Sequence, residues 1–525
     1  MRKCYMMRLL LFALLAGLLI PQAGLAAGDT LIIAFRGDAA RLDPHSRNET
    51  TTTTIQKHMY ESLVKFDLDL KPSPGLAESW RKIDNLTWEF KLRQGVTFHN
   101  GEPFNAAVAK FSLERCKTHK QSQYKYMVPD YDTITAVDDY TLRYKTKAPT
   151  PEMLVMLESV SMVPPKYFSE WDQKDWTHLN HNPVGTGSYK FVEWVKDEHL
   201  KMVANEKWWG GKVDFPEVLI RPIPEDATRV AALISGEIDV CWGVPIPDIP
   251  RIEKDKNTYV SRVPSQRAIY LMFDVHTDKG GKAPDMQPGL PEGKPNPFKN
   301  PKVRKAIAHA VNVDEIIEFV MEGSAYPASQ LNSKYVDGFN PNIKRPEFNP
   351  ELSKKLLAEA GFSNGFAFNF DCPNDRYIND QSVTEAIAHQ LTKIGLKPKV
   401  VAQPKAVFFP KMNRYESPMF LAGWGTLSWQ GTFNGFFKKK SGSVGRNNRG
   451  RYYDSEMEKR IDAANSEMDD QKRQALRGQV AEAIYGTYYT IPLYYQENVF
   501  AFNKRVVGQA RVDERIFAFE VKKAQ

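Results

Sequence analysis

Cysteine is scarce in this chain, four residues among 525. None stands in a CxxC pair or at a Cys/His spacing that suggests a metal site, and only Cys116, Cys241 and Cys372 lie beyond the first 26 residues. In an oxidising compartment these three allow at most one disulfide and leave one thiol over. Long apolar runs are also lacking. The run Leu9–Ile20 is a dozen residues, short of the roughly 20 needed to span a bilayer. With Arg2, Lys3 and Arg8 before it and Gly24-Leu25-Ala26 after it, it reads as a secretory leader cleaved after Ala26. Cys4 precedes the run, so no cysteine stands at the cleavage point to carry a lipid anchor, and the mature protein is expected free outside the cytoplasm. Charge of one sign is missing too: the leader holds three of the 71 Lys+Arg and none of the 63 Asp+Glu, so the remainder is near balance and points to no particular partner.

Motifs for catalysis are equally thin. Gly185-Thr-Gly187-Ser188-Tyr189 lacks the spacing of GxSxG, GxGxxG and GxxxxGK[ST] and serves as a turn into the hairpin that follows. His178-Leu-Asn-His181 offers two nitrogens without a third ligand and reads as surface histidines. No Ser/His/Asp set assembles, so an enzyme is not expected. The basic clusters Lys438-Lys439-Lys440 and Arg446, Arg449 and Arg451 sit among Ser, Gly and Asn and read as solvated loop rather than a phosphate grip. There is no internal repeat.

What is present is a chain too long for one core, hence two large lobes. Strands are expected at Thr30–Phe35 and Thr87–Arg93, and a hairpin over Ser188–Asn205. Asn105 caps a helix through Val108, Phe111 and Leu113, and VAALISGEIDV gives a helix, Gly236 at its end, and a short strand. Residues 276–301 form an excursion rich in Pro, Gly and Lys. Helices then start at Asn300-Pro301, at Asp314-Glu315 (ending at Gly323) and at Asn349-Pro350 (ending at Gly361), with a fourth over Gln381–Ile394 stopped by Gly395. FAFNFDC and KPKVVAQ are strands between them, and Met419–Ala422 is the next. The second half is therefore β-α-β, with ligands expected in loops beyond the carboxyl ends of strands. The stretch Phe420–Phe437, FLAGWGTLSWQGTFNGFF, has no charged side chain. It begins in such a strand, and Gly423–Gly431 is expected to continue as a loop facing a cleft.

Several segments in order resemble one family: RLDPH at Arg41, LAESWRKIDNLTWEFKLRQGVTFHNGEPFNA from Leu76, NPVGTGSYKFVEW from Asn182, NPKVRKAIAHAVNVDEII from Asn300 and IPLYYQENVF from Ile491. The set resembles the large extracytoplasmic solute-binding proteins of ABC importers, the dipeptide, oligopeptide and nickel class called family 5. The resemblance implies an α/β, two-lobed periplasmic binding protein fold with the ligand cleft between lobes. Lobe I is expected at residues 28–271 with an extra subdomain near 60–175, lobe II at 272–493, and a return to lobe I at 494–525. Crossings near Phe273 and Leu493 are the expected hinge. It further implies a monomer in the periplasm that captures a peptide or peptide-like small solute and hands it to ABC permease subunits. No cofactor, metal or nucleic acid is implied, and the membrane is met only through the permease. A non-peptide ligand (a small organic acid, metal chelate or aromatic solute) and a role in chemoreception are the alternatives, with an extracytoplasmic hydrolase more distant.

In dipeptide binders of this family an arginine shortly after a lobe II strand holds the ligand carboxylate; Arg376 in CPNDRYIND matches that place. A guanidinium matches a carboxylate in two prongs, unless Arg376 pairs with Asp375, Asp380 or solvent. The family also places an aspartate after a Gly-Trp pair to hold the ligand's α-amine, but here the chain reads Gly423-Trp424-Gly425-Thr426-Leu427. Leucine cannot neutralise an ammonium, so a free amine needs an acid from elsewhere, such as Asp38 or Asp371. Trp429 adds aromatic surface for an apolar, planar or cationic group, or else packs in a core. The ligand site so implied is Arg376, Gly423, Trp424, Gly425, Leu427 and Trp429, suited to a ligand with an acid or hydrogen-bonding end and a neutral or apolar body.

Overall fold

A computed structural model describes residues 29–276, 290 and 296–525. The expected leader and most of the Pro/Gly-rich excursion lie outside the described residues. The apolar run Thr30–Phe35 is a strand as expected, near the middle of an 11-stranded sheet. Its strands in chain order are β1 Thr30–Phe35, β2 Tyr189–Val195, β3 His199–Ala204, β4 Glu217–Pro222, β5 Val240–Trp242, β6 Thr258–Phe273, β7 Ala325–Pro327, β8 Ala367–Pro373, β9 Lys397–Gln403, β10 Met419–Trp424 and β11 Thr490–Asn503. Across the sheet they run β9-β8-β10-β6-β11-β5-β1-β4-β3-β2, and β7 pairs with β11 beside this path. β1 is parallel to β4 and β5, and β8 is parallel to β9 and β10, as expected where helical crossovers cover a sheet.

Two strands join the halves. β6 has 16 residues and β11 has 14; at about 3.3 Å per residue each is roughly 50 Å long, enough to run through both. Their pairing breaks register between Pro264 and Ala268, which face Glu497 and Tyr495, so Ser265, Gln266 and Arg267 bulge opposite Gln496. Trp242, at the end of β5, pairs with Phe500, and Trp424, at the end of β10, pairs with Ala268. The carboxyl ends of the parallel strands in the two halves thus converge on the break from opposite sides, which is where the ligands of open α/β sheets sit.

Helix starts follow the expected chemistry. The side chains of Asn105, Asn300 and Asn349 accept from backbone N–H groups of the first turns, and Pro301 and Pro350 open their helices. Gly236 and Gly395 stop theirs in the left-handed region, φ 79° and 90°. Two segments differ from expectation. The helix opened by Asp314 is α-helical only over Val313–Glu315 and widens into a π turn at Ile316–Val320. The uncharged stretch, expected to continue as loop, turns helical at Trp429–Phe436, because Ser428 caps the turn by accepting from the Gly431 N–H at 2.7 Å.

Three hydrophobic cores result. One fills the β8–β10 half, follows the two long strands and continues around the helices Asp226–Ser235 and Ile249–Lys254, a second underlies β1–β4, and a third joins the sheet of Ala77–Lys82, Thr87–Leu92, Tyr131–Asp138 and Thr141–Thr146 to the helix Ala106–Thr118. Met468 of the far half is buried in this third core. Cys116, Cys241 and Cys372 are buried and free. Among the described residues no helix is long and apolar enough to cross a membrane.

Candidate ligand-binding site

Arg376 sits in the loop after β8. Both acids that could have taken its guanidinium are engaged by backbone: Asp380 accepts from the N–H groups of Arg376 and Tyr377 at 3.1 and 3.0 Å, and Asp375 accepts from the Lys405 N–H at 2.6 Å. The Arg376 side chain is exposed, lies 5.3 Å from the Tyr377 ring centre, and forms no ion pair among the described residues.

Tyr377 ties this loop to β10, its hydroxyl donating to the Gly423 carbonyl at 3.1 Å. A Cβ on Gly423 would lie 2.6 Å from the Tyr377 ring and 2.9 Å from Ile269, so only glycine permits that approach. Trp424 is half-buried; its indole N–H donates to Thr432 at 2.9 Å and its ring meets Phe436 at 5.1 Å. Gly425 passes beside Arg267. Leu427 packs against a small apolar cluster of Phe66, Leu70 and Val512 with Val155, Val263 and Tyr335, drawn from both sides of the break. Trp429 turns inward: it is fully buried, stacked on Phe433 at 3.9 Å, with the Arg477 guanidinium 4.9 Å from its ring centre.

The structure therefore gathers Arg376, Gly423, Gly425 and Leu427 at the break and sets Trp429 in the interior beneath them. Asp38 and Asp371 are both occupied. Asp38 accepts from Trp194, Lys196 and the Asp197 N–H; Asp371 accepts from Lys411 at 2.5 Å and Ser417 at 2.6 Å. The two histidines of HxxH are used separately, His178 stacked on Trp171 and His181 on Trp194. No group of three or more metal-ligating side chains occurs among the described residues.

Three groups at the break are not visible in sequence patterns. Arg267 grips Glu514 in two prongs, at 2.9 and 2.8 Å, and the Ser265 hydroxyl donates to the same carboxylate at 2.8 Å. Burial pushes the Glu514 carboxyl up, but the Arg267 charge and these hydrogen bonds outweigh it and hold the group below its ordinary range; Arg376 adds to the effect. Trp242 donates to the Glu514 carbonyl at 2.9 Å and so fixes the C-terminal segment in the crevice. The only local signal of this site is the polar triplet Ser265-Gln266-Arg267 interrupting an apolar strand.

The third group is Glu152, which bridges the crevice. Its carboxylate accepts from the Ser428 hydroxyl, from the Gln430 N–H at 3.1 Å and from Arg477 at 2.8 Å, and Arg477 also pairs with Asp337 at 2.6 Å. Lys82 adds a second bridge to the Met468 carbonyl at 3.0 Å, and Arg446 a third over Tyr126 at 5.0 Å. A cavity of about 480 Å³ opens between Lys57–Gly75 and Arg511–Glu520; it excludes Arg376 and residues 423–429, but Phe66 belongs both to its wall and to the Leu427 cluster.

Comparison with known proteins bears on the fold and the family. The family model described as "Bacterial extracellular solute-binding proteins, family 5 Middle" matches residues 71–443, more than two thirds of the chain. The glutathione-binding protein GsiB of Pectobacterium atrosepticum is 26% identical over 508 residues, covering 94% of each chain. The periplasmic binding protein DppA of Helicobacter pylori, solved with the peptide STSA, superposes with a TM-score of 0.76 at 27% identity, over 94% of this chain and 98% of that one. CtaP, an ABC transporter substrate-binding protein of Listeria monocytogenes, reaches a TM-score of 0.83 at 22% identity over 95% and 100% of the two chains, and shares the two-lobed α/β fold. The chain belongs to the bacterial extracellular solute-binding proteins of family 5.

Proposed function

We propose that this protein is the solute-capturing component of an ABC importer, a periplasmic monomer that delivers a small peptide-like acid to a membrane permease. Binding, not catalysis, is its activity. The lobes hinge on the two joining strands near the crossings at Phe273 and Leu493, a reading supported by the breaks in their register at Pro264–Ala268 and again at Ile269–Tyr270, opposite Leu493. The subdomain near 60–175 moves with lobe I. Contacts made by ligand to both lobes favour the closed arrangement over the open one.

The observation that carries the ligand class is the contrast between two residues in neighbouring loops of the same half, after β8 and β10. Arg376 presents a guanidinium that forms no ion pair among the described residues, while Leu427 presents no charge. A solute carboxylate finds a two-pronged partner in Arg376; a solute ammonium finds Asp38, Asp371, Glu152 and Glu514 already engaged. The relatives named for glutathione and solved with a peptide support a small peptide as the body of the ligand.

Titration calorimetry with trialanine, N-acetyl-trialanine and trialaninamide tests this. Acetylation of the amine is expected to change the affinity little, whereas amidation of the carboxylate is expected to cost about tenfold or more. The reverse ranking refutes the assignment.

A further inference from the structure

Around the register break, beside the Arg267–Glu514 pair and Glu497, whose Oε2 also lacks a hydrogen-bond partner among the described residues, lie uncharged polar side chains whose hydrogen bonds the protein does not complete. Gln266 Oε1 and Gln496 Nε2, from the two sides of the break, are buried without a hydrogen-bond partner among the described residues, and so are Nδ2 and Oδ1 of Asn332 and Oγ of Ser333. Asn332, Ser333 and Gln496 are only 3, 3 and 6% exposed. Such orphaned groups are few in native proteins, and here several fall at one place.

Connectivity brings them together. The Ala328 N–H donates to the Leu493 carbonyl at 3.0 Å, the Tyr495 hydroxyl donates to the Asn332 carbonyl at 2.8 Å, and Tyr335 reaches the cluster of Val263, Val512 and Leu427. The segment 328–335 therefore runs along β11 to the crevice. Side chains alternate faces along a strand, so Gln496 shares its face with Asn498, whose Nδ2 donates to the carbonyls of Arg511 and Val512 at 2.8 and 3.2 Å. Gln496 thus faces the side on which Val512 and Leu427 lie. The Gln266 N–H donates to the Val512 carbonyl at 3.3 Å.

We infer that Gln266, Asn332, Ser333 and Gln496 form a hydrogen-bonding belt that recognises the amide groups of the solute. Gln496 Nε2 and Asn332 Nδ2 donate, Gln266 Oε1 and Asn332 Oδ1 accept, and the Ser333 hydroxyl does either. Donors and acceptors in equal supply, with no net charge, match the C=O and N–H groups of a peptide backbone and suit neither a polyanion nor a polycation. This rests on the crevice being the ligand site: Arg376 anchors the solute carboxylate, and the belt reads the solute body.

Gln496→Met and Asn332→Leu remove these polar groups at near-constant volume, and two readouts separate the outcomes. The unfolding temperature of the ligand-free variants is expected to hold or rise, because a buried orphan is removed. Their trialanine affinity is expected to fall about tenfold or more, because the peptide amides lose partners. A lower unfolding temperature with unchanged trialanine affinity makes the belt structural and overturns the inference. An equal loss of affinity for 6-phenylhexanoate, a carboxylate with no amide, overturns amide recognition. Wild-type protein that binds no trialanine overturns the peptide reading and the belt together, whereas binding by wild type and both variants alike overturns the belt alone.

Discussion

Replacing Glu152 by glutamine removes a negative charge from the bridge between lobes while keeping its shape. Glu152 is 5% exposed and Arg477 is fully buried, and stripping one partner from a buried pair costs about 3–5 kcal/mol when the other charge is left alone. Arg477 is not left alone, since Asp337 holds it at 2.6 Å, and glutamine can still accept from Ser428 and Gln430. The remaining loss is about 2 kcal/mol, and because the bond exists only when the lobes meet, it falls on the closed state: a drop of about 30-fold in the closed-to-open ratio. Small-angle X-ray scattering of the ligand-free protein is expected to show a larger radius of gyration for Glu152→Gln. Calorimetry is expected to show weaker binding, as the competent state becomes rarer. An unchanged scattering curve together with a lowered unfolding temperature would refute the bridge, placing Glu152 in the stability of one lobe instead.

Two further outcomes follow from other contacts. Leu427→Asp puts a carboxylate among Phe66, Leu70 and Val512; it is expected to lower the unfolding temperature, through the loss of about 2 kcal/mol of apolar burial, and to make trialanine bind better than N-acetyl-trialanine. An unchanged preference means that Leu427 does not line the site. Burial raises the Glu158 carboxyl, but Lys57 and Arg515 outweigh it and carry the pKa from an ordinary 4.5 down to about 2. The unfolded chain therefore binds more protons in this window, so the stabilisation, about 3 kcal/mol at most, is complete above pH 4.5 and drains as pH falls toward 2. Burial of Lys57, whose own pKa falls, offsets part of it. Urea unfolding at about pH 3 and pH 7 is expected to show a smaller acid loss for Glu158→Gln than for wild type.

The parts of the fold legible in sequence are those written in short-range chemistry. The apolar run TLIIAF, the alternation in FAFNFDC, an Asn before a helix, a Pro in its first turn and a Gly after its last turn each act within a few residues, and these elements stand where they were expected. The helix Trp429–Phe436 was hidden because Gly431 and Gly435 lower its intrinsic propensity, while tertiary packing of Trp429 and Phe433 restores it. At the crevice, the loop of Arg376 and the strand entering Gly423 could be placed from the β-α-β pattern. The partners that set their charge could not: Arg267 and Glu514 are 247 residues apart, and Glu152 and Arg477 are 325 apart. No periodicity reports such pairs. The polar triplet at Ser265–Arg267 was the one local sign that the strand was interrupted, and it does not name what lies opposite.

The proposed ligand, a small acid with amide groups, is held between the lobes through its carboxylate on Arg376. Native mass spectrometry of the protein, secreted and purified without denaturation, tests this most directly. A retained adduct is expected on wild type, its mass and fragments those of a small peptide-like acid, and it is expected to disappear from Arg376→Ala. An adduct kept equally by both proteins, or one with no acid group, rules out a carboxylate held by Arg376.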